Sequence, residues 1–185
     1  MNKISTQADP AIAPILKAII TASQLDALHL AIGQLETLSR EGELELFISL
    51  PRKSARQKEL FLNKIVSDLP SPLLAAALSG TIEAAQFEFF NRGPLEDFLH
   101  RLQVKAEAID SIPLSVAVTF KPKDVAAMAS MLSKRLGHQV ALDLTVESAL
   151  IGGAIISYGS HRYDYSLKTK LTSFRSTWHA AVSKS

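Results

Sequence analysis

Five histidines, a pair of adjacent glycines and two carboxylates four residues apart are the positions in this 185-residue chain that could do chemistry. The histidines are His29, His100, His138, His161 and His179. No two of them stand at the spacing that puts two imidazoles on one helix face, and no carboxylate cluster accompanies them. They do not form a metal-ligand pattern. The chain has no cysteine. That removes thiolate ligands, cysteine nucleophiles and disulfides together, and it fits a reducing compartment. A catalytic serine would need the strained Gly-x-Ser-x-Gly elbow, which is absent. Asp143 and Glu147 fall on one face of an expected strand, where contact with water accounts for them better than acid–base work. No catalytic residue, metal ligand or cofactor-binding residue is expected.

The glycines need a separate argument. They lie in LIGGAIISYG, residues 150–159. A phosphate cradle is a glycine-rich turn that feeds a helix N-terminus, because the free backbone N–H groups there bind the anion. Gly152 and Gly153 instead feed AIISY, an apolar β-branched run that reads as a strand. The pair is expected to be a tight connection between two strands.

The elements around these residues follow from periodicity. The first part is helical. Apolar residues recur at helical spacing over residues 11–21, 23–39, 44–50, 54–69, 73–78 with 82–90, and 94–109. Ser23 is a candidate cap, and Gly80 is expected to interrupt the fifth segment. On the last segment Leu95, Phe98, Leu99, Leu102 and Ala106 share a face. Five or six helices with short joints predict a helical bundle over residues 1–110.

The period changes at Ser111. In IPLSVAVTF, Leu114, Val116, Val118 and Phe120 alternate with small or polar residues. Residues 122–136 return to helical spacing and stop at Gly137. Val140, Leu142, Leu144 and Val146 alternate again, and residues 154–158 make a third strand. A final helix is expected over residues 164–182, with Leu167, Leu171, Phe174 and Trp178 on one stripe. Residues 111–185 therefore read as a small β-α-β-β-α domain, and the whole chain as an α+β protein that is mostly helical.

Charge divides along the chain. Residues 1–110 carry 11 basic and 14 acidic side chains, a net of −3, while residues 160–185 carry 5 and 1, a net of +4. Two surfaces with different partners are expected. Arg162, Lys168, Lys170, Arg175 and Lys184 flank the final helix. They fit a solvated face or an electrostatic match to an acidic partner helix. Trp178 fits a core position or a partner anchor. No run of about 18 apolar residues is present, and Pro10 and Pro14 break the apolar start. These features predict a soluble intracellular protein.

The stretch VESALIGGAIISYGSHRYDYSLKTKL, residues 146–171, resembles the C-terminal signature of the F-type ATP synthase delta subunit family, to which the mitochondrial oligomycin-sensitivity-conferring protein belongs. The residues that carry the resemblance are Val146, Glu147, Leu150, Ile151, Gly152, Gly153, Gly159, Asp164, Ser166, Leu167 and Leu171. Asn91 and Arg92, before the last bundle helix, are similar to a further family feature. The order of elements fits as well. The chain departs from the pattern at Tyr165, where glycine is usual, at Ser160 after Gly159, where aspartate is common, and at Ser148, where proline is common.

The resemblance implies a non-catalytic peripheral-stalk subunit that holds the catalytic head still during proton-driven ATP synthesis. The implied partners are the alpha and beta subunits of the head and the b subunits of the stalk, with no cofactor and no direct membrane insertion. In such a protein the bundle holds an alpha-subunit helix in a groove between its own helices, which Ile12, Ile15, Leu16, Ile19, Phe98, Leu99 and Leu102 could line. The same residues also fit the bundle core. The C-terminal part binds the b subunits, and Lys168, Lys170, Arg175 and Trp178 are the candidate contacts. The expected location is peripheral, on the cytoplasmic face of the inner or plasma membrane of a bacterium. The alternative class is a nucleic-acid-binding protein using the basic last helix. The small net charge and the lack of aromatic–basic interleaving on the strands speak against it.

Overall fold

A computed structural model describes the backbone of residues 9–182 and the side chains of residues 9–174. The chain divides into two units. One contains the chain up to Ile19 together with Ser23–Ala108, and the other contains Ile20–Ala22 and the chain from Ile109 onward.

The described part of the first unit is helical. Its elements are α1 (Ala13–Lys17), α2 (Ala22–Glu41), α3 (Glu43–Ser49), α4 (Ala55–Ser67), α5 (Pro72–Glu83), a 3-10 turn (Phe87–Phe90) and α6 (Arg92–Ala106). Local chemistry sets the ends. Gly42, with φ +75, turns the chain between α2 and α3. Ser54 and Gln57 form a capping box at the start of α4. Ser71 accepts the Leu74 N–H and Pro72 opens α5. Leu28, Ile32, Leu35, Leu62, Leu74, Leu78, Ile82, Leu95, Leu99 and Leu102 are fully buried.

Two helices differ from the sequence expectation. The first is shorter than residues 11–21, because the β-branched run Ile19, Ile20 and Thr21 leaves the helix for extended backbone. Thr21 pairs with Leu142 as an isolated parallel bridge, and the Leu142 N–H donates to the Ile20 carbonyl at 2.8 Å. The fifth is not interrupted at Gly80. A glycine inside a helix costs only about 1 kcal/mol relative to alanine, and burial of Leu74, Leu78 and Ile82 on one face outweighs it. That helix runs to Glu83, and Ala85 just beyond it has φ +56.

The second unit is a four-stranded sheet with helices. Its elements are β1 (Asp110–Val116), α7 (Pro122–Leu136), β2 (Val140–Val146), a 3-10 turn (Ser148–Leu150), β3 (Ala154–Tyr158), β4 (His161–Asp164) and α8 (Leu167–Val182). The strand order is β2-β1-β3-β4. Strands β1 and β2 are parallel, from Asp110 opposite Val140 to Val116 opposite Val146, with α7 as the crossover between them. The other two pairings are antiparallel. Ile112, Leu114, Val116, Val140 and Leu142 pack on Val125 and Ala129 of α7.

Here too the expectation needs correction. Strand β1 stops at Val116, and Val118 is exposed rather than aligned on the core face. A fourth strand, β4, takes residues 161–163, which had no assignment, and Asp164, expected at the start of the last helix. That helix begins at Leu167, not Asp164. All four residues of β4 are exposed, so no apolar alternation announces it. The available signal is the two-residue link Gly159–Ser160, with Gly159 at φ +58, which closes a hairpin between Tyr158 and His161.

Candidate functional site

The residues of the 146–171 signature come together in a joint at the start of α8. Gly153 has φ +82, and a Cβ there would lie 2.3 Å from the Tyr165 carbonyl oxygen. A Cβ on Gly152 would lie 2.6 Å from Leu167 Cδ1. Close backbone approach and a positive φ require glycine at 153, whereas at 152 the neighbour is the Leu167 side chain. N–H groups at the start of α8 that a phosphate would use have protein acceptors instead. The Leu167 N–H donates to the Gly152 carbonyl at 2.8 Å, and the Thr169 N–H donates to Ser166 Oγ at 3.2 Å. The link between β2 and β3 is not the expected tight connection: it runs over residues 147–153, contains a 3-10 turn and joins strands separated by β1. Its glycines seat α8.

Asp164 organises the turn into that helix. Its carboxylate accepts the Ser166 N–H and the Thr169 hydroxyl, both at 2.8 Å. These bonds, Ser166 first and then Thr169, hold its carboxyl below the usual carboxylate range, and Arg162 adds to the effect. Ser166 is buried. The Tyr165 N–H donates to the Ala154 carbonyl at 2.9 Å, tying the same turn to β3. Glu147 closes the other end. Its N–H donates to the Val116 carbonyl at 2.8 Å, and its carboxylate accepts the Ser115 hydroxyl at 2.7 Å. Leu150 is buried beside Ala117 and Ile155. Val146 and Ile151 are exposed.

Helix α8 turns an apolar face to water. Leu167, Leu171 and Phe174 are 47%, 55% and 67% exposed. Their spacing of four and three residues stacks them over two turns, about 10 Å of helix. Lys168 and Lys170 are exposed beside them. The side chains of Arg175 and Trp178 lie outside the described residues.

In the first unit an apolar depression of about 360 Å³ opens between α1, α5, the 3-10 turn and α6. Ile15 and Phe98, two of the residues expected at a groove, line it together with Ala77, Gly80, Thr81 and Phe89. Ile12, Ile19, Leu99 and Leu102 are buried, and Leu16 is half-buried. Arg101 on α6 pairs with Asp97 and with Asp9, and Asp9 accepts the Ala11 N–H at 3.1 Å. These bonds fix the start of the α1 wall. Sequence reasoning missed the contribution of α5, because Ala77, Gly80 and Thr81 carry no apolar signal. It also missed a depression of about 710 Å³ between α2 and α4, lined by His29, Leu30, Gly33, Ile65 and Leu69 among others.

The titratable groups join elements to one another. His138 Nε2 lies 2.8 Å from Asp110 Oδ2, tying the turn after α7 to β1. Among the described residues, no group of three or more His, Asp or Glu could hold a metal ion. No described helix is long and apolar enough to cross a membrane. The described residues thus present an exposed apolar helix face with lysines in one unit and an apolar depression in the other.

The comparisons make this specific. The family model of the ATP synthase delta (OSCP) subunit matches residues 15–177, so the chain belongs to that family and is a non-catalytic subunit of an ATP synthase. It is similar to ATP synthase subunit delta of Azorhizobium caulinodans, 27% identical over 161 residues and 83% of each chain. It is also similar to the delta subunit of Rhodospirillum rubrum, 28% identical over 135 residues and 72% of each. That of Heliobacterium modesticaldum is 24% identical over 87% of this chain and 86% of the relative. A chain in the cryo-EM structure of the Toxoplasma gondii mitochondrial ATP synthase hexamer matches with a TM-score of 0.34 at 17% identity, over 84% of this chain and 94% of that one.

Proposed function

We propose that this subunit is a joint of the peripheral stalk, linking the alpha and beta subunits of the catalytic head to the b subunits while the rotor turns. The observation that carries the reading is the exposed Leu167–Leu171–Phe174 face of α8, flanked by Lys168 and Lys170. Large apolar side chains in register on an exposed helix face, such as Leu167 and Leu171, mark an interaction surface. The b subunits are the partner assigned to it, with Arg175 and Trp178 continuing the face in sequence. An alpha-subunit helix is assigned to the depression lined by Ile15 and Phe98, with the residues buried beneath serving as its floor. The division of labour follows residues 1–110 and 111–185. The subunit is held at the cytoplasmic face of a bacterial membrane through its partners.

Reconstitution tests this. The purified chain is titrated separately with the catalytic head and with the water-soluble part of the b subunits. Gly80→Leu adds a side chain at a residue that lines the depression, where an added Cβ meets nothing within 4 Å. It is expected to lose the head and keep b. Leu171→Glu is expected to lose b and keep the head. Binding of both partners by both variants would refute the reading.

A further inference from the structure

Ile151 is a β-branched residue with φ +64 and ψ −38, a conformation that crowds its side chain against its own backbone. It is also 65% exposed. Strain of this kind persists when the surroundings fix it or when function uses it. Its neighbours do fix the backbone: Leu150 is buried, the Ile151 N–H donates to the Ser148 carbonyl at 3.1 Å, and Gly152 is held against Leu167. They do not account for an isoleucine there. Little of the side chain is removed from water, and glycine would adopt the same backbone without strain.

What the isoleucine does gain is position. Consecutive Cα atoms are about 3.8 Å apart, and the next residue, Gly152, lies under Leu167, with no side chain of its own between them. Ile151 therefore adjoins the N-terminal end of the exposed α8 face. Arg162, Lys168 and Lys170 are exposed in the same 160–174 stretch, and the only acid there, Asp164, has its carboxylate committed to Ser166 and Thr169.

We propose that Ile151 is a preorganised anchor of the α8 docking surface, held in a strained conformation so that its side chain meets an amphipathic partner helix whose apolar stripe is flanked by acidic residues. The basic flank selects the acidic helix over a neutral one. A rigid apolar knob at the end of a stripe fixes the register in which the helix lies. This rests on the assignment of α8 to the b subunits, and it adds a specificity-determining residue that the helix itself does not contain.

The test compares Ile151→Gly, Ile151→Val and Leu171→Glu in the full chain, by titration with the water-soluble part of the b subunits and by thermal unfolding. Ile151→Gly is expected to weaken binding about ten-fold or more, the scale of an interface anchor, without lowering the melting temperature. Ile151→Val is expected to retain most of the affinity. Unchanged affinity in Ile151→Gly overturns the proposal. So does a loss of affinity that comes with a lower melting temperature, because Ile151 would then be a packing residue. If Leu171→Glu leaves binding intact, the assignment of α8 itself fails. If Leu171→Glu abolishes binding and Ile151→Gly does not weaken it, only the anchor fails.

Discussion

Helices α6 and α8 carry the same kind of apolar stripe, and the molecule treats them oppositely. On α6, Leu95, Phe98, Leu99, Leu102 and Ala106 recur at turn spacing and all are buried. On α8, Leu167, Leu171 and Phe174 recur at the same spacing and all are exposed. Periodicity fixes that a helix forms and which face is apolar. It does not say whether the cover for that face lies in the same chain. Under the proposed reading as a stalk joint, one stripe builds the fold and the other is the surface offered to the partner.

The difference can be broken or sharpened by substitution. The largest effect belongs to the buried stripe. Leu99→Ala, fully buried on α6, is expected to cost about 2–5 kcal/mol, read by denaturant unfolding of the first unit. Next comes the joint beneath α8. Gly153→Ala combines φ +82 with a Cβ 2.3 Å from the Tyr165 carbonyl oxygen. It is expected to cost about 1–3 kcal/mol of strain and to weaken b binding by displacing the start of α8. A smaller cost, about 1 kcal/mol, is expected for Ser166→Ala, which removes the side chain that caps the Thr169 N–H. The smallest stability effect belongs to the exposed stripe. Leu171→Ala is expected to stay within about 0.5 kcal/mol of the parent in unfolding, while weakening b binding about ten-fold.

A pH series isolates Asp164. Its folded-state pKa is lowered by Ser166, then Thr169, then Arg162. The stabilisation is therefore present above the unfolded pKa and is lost as pH falls through the folded one. Asp164→Asn should be less stable than the parent at neutral pH, and the two unfolding curves should converge in acid. A gap that persists unchanged into acid would mean that the carboxylate charge is not what holds the turn.

Much of this arrangement was legible in the residues. Strong 3.6-residue periodicity located α2, α4, α6 and α7, and two-residue alternation located β1, because each of those elements has a wet and a dry side. Strand β2 alternates in sequence but not in burial: Ala141 is buried and Val146 exposed. The glycine pair could be separated from a phosphate cradle because it feeds a strand rather than a helix. Three things were hidden for physical reasons. Strand β4 has no dry face, so its only announcement is the Gly159–Ser160 turn. Apart from Leu78, the α5 residues that line the depression are small, and an absence of bulk leaves no hydrophobic signal. The exposure of the α8 stripe was hidden because no property of Leu167 or Leu171 in the sequence distinguishes them from Leu99 and Leu102. The strain at Ile151 is likewise a backbone fact that its residue type argues against.

The most direct test of the contrast is amide hydrogen exchange on the full chain, free and saturated with the water-soluble part of the b subunits. Slowed exchange on binding is expected across residues 167–174 and at Ile151, with α6 unchanged because its face is already covered. Protection confined to the first unit, or none around α8, would contradict the claim that the exposed stripe is a docking surface.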